Sequence, residues 1–279
     1  MPNNILIIGG TGYLGKLLVS TLKLQRFKVF TAGTSNQSDY QINILNAESL
    51  NILFKNYKFD IIFNLSGYGL NSEQNTDSLF EINSNGPRIL AESAISYLPN
   101  VHLIHTSTIL DKSVNNVFES EYSKSKSIGS KYVEDFMHRF PSNFSILRLN
   151  NVYGATQPKS RLFNGIVSSI IEKKEIFIQF PNRTRDFCLD LDVVNAIVEI
   201  LLSNKNLGTS TEVGTGSPVS VQSFATEIFS QLKGDFGLLK FNSLVEDVFE
   251  KVPDRESGIL FKKCGTDFRT GIDMALRLL

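Results

Sequence analysis

The chain reads as an α/β protein built on a doubly wound parallel sheet, followed by a smaller, partly interleaved α/β lobe. Three observations point there. Short apolar runs alternate with amphipathic helical stretches through the first half, the apolar runs are nearly continuous, and a glycine-rich turn follows the first of them. Strands buried on both faces of a parallel sheet read as continuous apolar runs. Strands alternating with helices read as right-handed crossover units.

Each element can be justified in order. Ile5–Ile8 opens the sheet, and Gly15–Gln25 is an expected helix with Leu17, Leu18, Thr21 and Leu22 on one face. Lys28–Ala32 reads as a strand, and Ala47–Lys55 as a helix striped by Leu50, Leu53 and Phe54. Asp60–Leu65 is a strand, Ser84–Tyr97 a helix, Val101–Thr106 a strand, Tyr122–Phe140 a helix and Ser145–Leu149 a strand. After about residue 155 the rhythm loosens. Helical patterns are expected over Phe163–Lys173, Val193–Leu202 and Val221–Leu232, and strands over Arg185–Leu189 and Thr211–Val213. Lys233–Lys263 follows neither period. The expected division is a first domain of residues 1–155, with returning segments near 185–213, and a second lobe of residues 156–279.

Composition narrows the class. With 279 residues the chain can bury a large core, and its 28 basic residues balance 28 acidic ones. There is no polybasic block to suggest nucleic acid or an anionic membrane surface. The longest apolar runs are strand-sized, far short of the roughly 20 residues of a spanning helix. No basic region leads into an apolar one at the start, so a signal peptide is not expected and the expected location is cytoplasmic. Cys188 and Cys264 form no spacing motif and only three histidines occur, so neither a metal site nor a disulfide framework is expected.

Two motifs carry chemistry. Gly9, Gly12 and Gly15 sit between the first strand and the first helix. Glycine there permits a tight turn and lets backbone N–H groups meet a pyrophosphate at the positive helix N-terminus. Thr11, Tyr13 and Leu14 complete that expected set. The second strand ends Thr31-Ala32-Gly33-Thr34-Ser35-Asn36, with Gly33 where an acid would grip the ribose 2′-hydroxyl of NAD. Nothing there repels a 2′-phosphate, and Thr34, Ser35 and Asn36 can donate to one. NADP(H) is therefore favoured and NAD(H) stays open, since no arginine stands beside them. The second motif is Tyr122-x-x-x-Lys126, one helical turn apart and on one face. A nearby ammonium favours phenolate, as a group exchanging a proton with a carbonyl oxygen near neutral pH requires.

Together these motifs resemble the extended short-chain dehydrogenase/reductase family, the NAD-dependent epimerases and dehydratases of nucleotide sugars, over nearly the whole chain. The resemblance implies a Rossmann-type fold and an NAD(P)-dependent oxidoreductase. It assigns Tyr122 and Lys126 to catalysis, with Thr108 as the strand-end hydroxyl and Ser107 as its near alternative. It sets Asn43 and Ile44 near the adenine, Leu65, Ser66 and Gly67 beside the nicotinamide half, and Asn83 in a structural role. Asn151 and Arg185 would contact the substrate diphosphate, with Arg161 and Arg255 as partners in the same lobe. Ile109-Leu110 stands where sugar dehydratases of the family carry an Asp-Glu pair. Two helices, 84–97 and 122–140, would form a homodimer bundle.

The expected function is NADPH-dependent reduction of the C4 carbonyl of a nucleotide-linked 4-keto-6-deoxy sugar, for deoxysugar and polysaccharide synthesis. The alternatives are a 4-epimerase that retains NAD and a non-catalytic dinucleotide-binding regulator or scaffold. His105 reads as a satisfied core residue, and Glu134 and Asp135 as a solvated face.

Overall fold

The computed structural model describes residues 4–69, 76–203, 208–242 and 247–279. Its order is β1 (Asn4–Ile8), α1 (Tyr13–Leu24), β2 (Lys28–Gly33), β3 (Tyr40–Gln41), α2 (Ala47–Asn56), β4 (Ile61–Asn64) and α3 (Thr76–Phe80). A π-helical turn (Glu81–Asn85) leads into α4 (Gly86–Tyr97), β5 (His102–Thr108), a 3-10 turn (Ile109–Asp111), α5 (Glu121–Arg139) and β6 (Phe144–Leu149). Then follow β7 (Asn151–Tyr153), α6 (Leu162–Glu172), β8 (Ile176–Ile178), β9 (Thr184–Arg185), β10 (Phe187–Leu189) and α7 (Asp190–Ser203). The last elements are β11 (Ser210–Gly214), β12 (Val219–Ser220), α8 (Val221–Gln231), β13 (Leu239–Phe241), β14 (Leu260–Lys263) and α9 (Phe268–Leu276).

The chain divides into two compact units. One comprises Met1–Leu149, Val194–Glu212 and Arg255–Phe261, the other Asn150–Val193, Val213–Asp254 and Lys262–Leu279. Among the described residues the large sheet has eight strands, in the order β14-β11-β6-β5-β4-β1-β2-β3. Its pairings from β3 to β6 are parallel, with Ile5 opposite both Val29 and Ile61, and Leu103 opposite Phe144. The chain leaves β1 for β2 on one side and returns to β4 on the other. Such a reversal opens a crevice at the carboxyl ends of the strands.

The apolar runs explain the sheet. Ile5–Ile8 and all four residues of β4 are buried. Leu50, Leu53 and Phe54 of α2, Leu90, Ala91 and Ala94 of α4, and Val133 and Phe136 of α5 share one core with Leu6, Ile8 and Ile62. The second unit has its own core of Tyr153, Phe163, Phe187, Phe224, Ile228 and Ile272. There the Phe187 and Phe224 rings stack at 3.8 Å.

Four differences from the sequence reading have physical causes. The helix expected from Ser84 begins at Thr76, because the π-helical turn breaks the 3.6-residue period in between. The strand expected over Arg185–Leu189 divides at Asp186, whose carboxylate binds Thr215 Oγ1 and Gly216 N. Part of Lys233–Lys263 forms β13 and β14, while 243–246 lie outside the described residues. Helix α9 was not anticipated; Asp267 caps it, accepting from Arg269 N and Thr270 N. Among the described residues no helix is long and apolar enough to cross a membrane.

Helix α5 lies against the π-helical turn because Gly129 has no side chain; an added Cβ would run into the Asn83 carbonyl oxygen. Gly129→Ala is expected to destabilise the protein by about 1–3 kcal/mol, as overpacking does. Thermal or urea unfolding of the purified variant measures this, and an unchanged midpoint would contradict the contact.

Candidate active site

The carboxyl end of β1 turns into α1 through a cradle that side chains would fill. Gly9 has φ +81°, a left-handed conformation that glycine adopts freely. Its amide donates to Ala32 O at 2.8 Å, and Gly12 N donates back to Gly9 O at 3.0 Å. A Cβ at Gly9 would come within 2.9 Å of Ser66 N, and one at Gly15 would collide with the Gly9 carbonyl oxygen. Gly12 is the N-cap of α1 and supplies no capping oxygen. A serine or aspartate there would cap the turn itself and confront an anion with its own oxygen. Half-buried Thr11, Tyr13 and Leu14 complete the turn. These features fit the pyrophosphate of a dinucleotide.

The end of β2 is organised by hydrogen bonds within its loop. Ser35 Oγ accepts from Gln37 N and Ser35 O from Ser38 N, while Thr34 and Asn36 are exposed. A Cβ on Gly33 would sit 3.5 Å from Ser38 Oγ. Asp39, a carboxylate that the sequence reading did not weigh, binds Thr31 N and Thr31 Oγ1, each at 2.8 Å. It serves the strand end. Asn43 Oδ1 accepts from Leu45 N in an Asx turn, and Ile44 packs in the core against Gly86.

At the reacting end, the described residues of the first unit meet around Lys126. Ser120 caps α5 by accepting from Ser123 N, which fixes Tyr122 and Lys126 in its first two turns. Lys126 is 4% exposed and its Nζ donates to Thr106 O at 2.8 Å. Thr108 lies two residues farther along β5, on the same face, and its Oγ1 caps the 3-10 turn by accepting from Leu110 N. A Cβ on Gly67 would stand 3.9 Å from Lys126 Nζ and 3.6 Å from Asn83 Oδ1. The glycine turn, the loop after β4 and the lysine therefore form one continuous lining. Burial, partly offset by Asp111, brings the Lys126 amine down to about 8.

Buried amides hold this lining. Asn64 Oδ1 accepts from Ser66 N and Ser66 Oγ, and Asn64 Nδ2 meets His105 Nδ1 at 3.2 Å. Asn83 bridges Tyr68 N, Tyr68 O and Ser125 Oγ, which itself donates to Tyr122 O. His105 is indeed a core residue, but not a fully satisfied one, since Nε2 has no hydrogen-bond partner among the described residues. Burial, then Lys126 and Arg148, hold its basicity well below the usual imidazole range.

The sequence reading missed a buried ion pair beside the site. Arg148 Nε contacts both Asp111 oxygens at 3.2 Å, and Ser107 and Ser130 contact Asp111 Oδ2 at 2.8 and 2.9 Å. Ser107 is thus engaged with Asp111. Glu134, on the expected solvated face, is partly exposed and also paired; its Oε1 accepts from Arg148 Nη2 at 2.7 Å. Neither partner pairing follows a local period, so only the tertiary structure reveals them.

The remaining expected residues fall as follows. Asn151 begins β7, opposite Phe187, with its amide donating to Asp186 O at 2.9 Å. Arg185 is buried in the second unit, and its Nη1 donates to Thr184 O and Phe249 O. Exposed Arg161 is the N-cap of α6 in the same unit. Arg255 belongs to a segment of the first unit, with its guanidinium 4.8 Å from the Phe261 ring centre, so the structure does not group it with the other two.

If the Gly12 N-cap receives an anion, Gly12→Asp will oppose it by charge while still capping the helix. Calorimetric titration with NAD(H) and NADP(H) is expected to show about tenfold weaker binding or worse, at little change in melting temperature. Undiminished affinity for both would refute the assignment.

Known proteins resemble this chain in sequence and in fold. CDP-abequose synthase from Salmonella typhimurium is 24% identical over 300 residues, covering 99% of this chain and 98% of that protein. A dTDP-6-deoxy-L-talose 4-dehydrogenase (NAD(P)(+)) from Kitasatospora kifunensis is 23% identical, covering 77% of this chain and 75% of the other. The crystal structure of a UDP-glucose 4-epimerase from Thermotoga maritima with UDP-glucose shares the fold, with a TM-score of 0.83 at 19% identity, over 98% of this chain and 97% of that one. The profile of the NAD dependent epimerase/dehydratase family matches residues 5–214. The chain therefore belongs to that family and is a nicotinamide-dependent enzyme of the extended short-chain dehydrogenase/reductase type.

Proposed function

We propose that the protein is a nucleotide-sugar 4-ketoreductase, reducing the C4 carbonyl of a nucleotide-linked 4-keto-6-deoxy sugar with NADPH. The observation that carries this reading is the chemistry around Thr108. The two residues after it, Ile109 and Leu110, exchange no protons, and the next, Asp111, is buried in its pairing with Arg148. Elimination of water needs an acid and a base there. Reduction needs neither. The relative named for 4-dehydrogenation of a dTDP-6-deoxy sugar is consistent with oxidation and reduction at the same carbon.

When bound, the nicotinamide supplies hydride to the carbonyl carbon. Tyr122 gives its phenolic proton to the carbonyl oxygen, so the product is the alcohol. Lys126, as an ammonium, holds the ribose side and favours the phenolate that Tyr122 becomes. Thr108 donates to the same oxygen and orients it. Preorganised donors of this kind act on charge as it develops. Asn151 and Arg185, with Arg161 in the same unit, are assigned to the substrate diphosphate, for which the arginine fork is suited. Gly33 at the end of β2 supports the choice of NADP(H), and α4 with α5 is the assigned homodimer face.

Mass spectrometry of nucleotide released from freshly purified, denatured protein tests cofactor use. An empty protein, or traces of NADP(H), is expected; stoichiometric NAD would instead indicate an epimerase that recycles its cofactor in place. In turnover assays with a nucleotide-linked 4-keto-6-deoxy sugar, Tyr122→Phe is expected to lose about 10²–10⁴-fold in kcat. An unchanged rate would leave the site without its acid and favour a binding role. Lys126 is charged below its value of about 8 and loses the proton above it, so kcat/KM is expected to fall through pH 8. A profile flat to pH 10 would contradict the role of the ammonium.

A further inference from the structure

Helix α5 carries polar residues at four-residue intervals: Tyr122, Lys126, Ser130 and Glu134. Residues so spaced share one face of a helix. Each of the last three reaches a partner on β5, β6 or the 3-10 turn. Lys126 Nζ binds Thr106 O, Ser130 Oγ lies 2.7 Å from Ser107 Oγ and 2.9 Å from Asp111 Oδ2, and Glu134 Oε1 accepts from Arg148. The remaining Arg148 nitrogen, Nη1, binds Ser210 Oγ. A polar seam therefore runs along α5 from Tyr122 to Glu134.

The charges of this seam balance in a particular way. Its cations are Lys126 and Arg148, and its anions are Asp111 and Glu134. Glu134 is 38% exposed in its side chain and touches Arg148, whereas Asp111 is 5% exposed. Among the described residues, the other groups facing Lys126 add no negative charge. From β5 comes His105, whose basicity burial suppresses, and from β6 comes Arg148. The π-helical turn offers Asn83, the loop after β4 offers Gly67, and α5 itself offers Tyr122. A buried ammonium without a counter-charge sheds its proton.

We propose that Asp111, fixed by Ser107, Ser130 and Arg148, is the counter-charge that keeps Lys126 protonated. It is a positioning residue, acting through Lys126 and touching neither cofactor nor substrate. The same carboxylate ends the 3-10 turn that Thr108 caps, so one side chain sets the charge of the lysine and anchors the turn beside the strand-end hydroxyl. The consequence for turnover rests on the ketoreductase reading; the effect on the Lys126 amine does not.

The test titrates Lys126 directly by NMR of protein labelled with [¹³C]lysine, assigning its resonance by the absence of that signal in Lys126→Arg. Asp111→Asn is expected to lower the titration midpoint by about one pH unit or more. Ser130→Ala loosens the seam but retains the carboxylate, and is expected to lower the melting temperature and leave the midpoint in place. If Asp111→Asn does not fold with Arg148 left to Glu134, Asp111→Asn with Arg148→Lys, which keeps a cation at that position, is titrated instead, with the same downward direction expected. A folded variant lacking Asp111 with an unmoved midpoint overturns the proposal, as does an equal shift in Ser130→Ala. With a 4-keto sugar substrate, the basic limb of the rate profile should move with the midpoint. A midpoint that moves while the limb stays upholds the role of Asp111 and counts against that of Lys126 in the reaction.

Discussion

The first unit depends on how closely α5 can approach the sheet. The buried face of this helix is mostly small and polar: Ser123, Ser125, Ser127, Gly129 and Ser130, with Val133 and Phe136 only toward its end. Small side chains permit close approach, but every hydroxyl drawn from water then needs a partner. Lys126 is the extreme case, a cation removed from solvent and satisfied by the Thr106 carbonyl oxygen. The helix is placed by hydrogen bonds at the active-site end and by aromatic packing of Phe136 with Phe140 and Phe144 at the other. That division gives one end a defined geometry and the other its share of apolar burial.

The same constraint links the two ends of the candidate dinucleotide site. The glycine turn sits at the end of β1, Ser66 and Gly67 after β4, and Thr108 at the end of β5, and these strands are neighbours in the sheet. Close contact of Gly9 with Leu65 and Ser66, and of Gly67 with Asn83 and Lys126, makes the lining continuous through backbone and short side chains. Little of it depends on long flexible groups, so the site is organised before anything binds. Preorganisation of this kind lowers the ordering cost of binding and keeps donors aligned during the reaction.

Much of this was legible in the sequence, for identifiable reasons. Gly9, Gly12 and Gly15 announce the cradle because the backbone there tolerates no side chain, and Tyr122 with Lys126 announce themselves by helical spacing. The apolar runs of β1 and β4 declare a parallel sheet. What escaped was whatever depends on distant partners. Asp111 and Arg148 are 37 residues apart, and Glu134 looked solvated because its neighbours on the helix surface are. Ile44, expected at the adenine, has its side chain in the core, a matter of packing that a motif does not encode. Asp39 shows the converse: a carboxylate close to the end of β2 is engaged by Thr31.

The π-helical turn at Glu81–Asn85 has a consequence for how this chain can change over evolutionary time. One extra residue is wound into an otherwise α-helical path, and Gly86 N closes the wide turn on Glu81 O. Deleting a single residue there would restore ordinary winding with the flanking helices nearly in phase, and would remove the bulge itself. Leu79 in α3 would keep its buried side, but Asn83, carried on the bulge, would lose its grip on Tyr68. Loops elsewhere accept length changes with little penalty. This stretch does not, so its length is as much a part of its information as the residues that fill it.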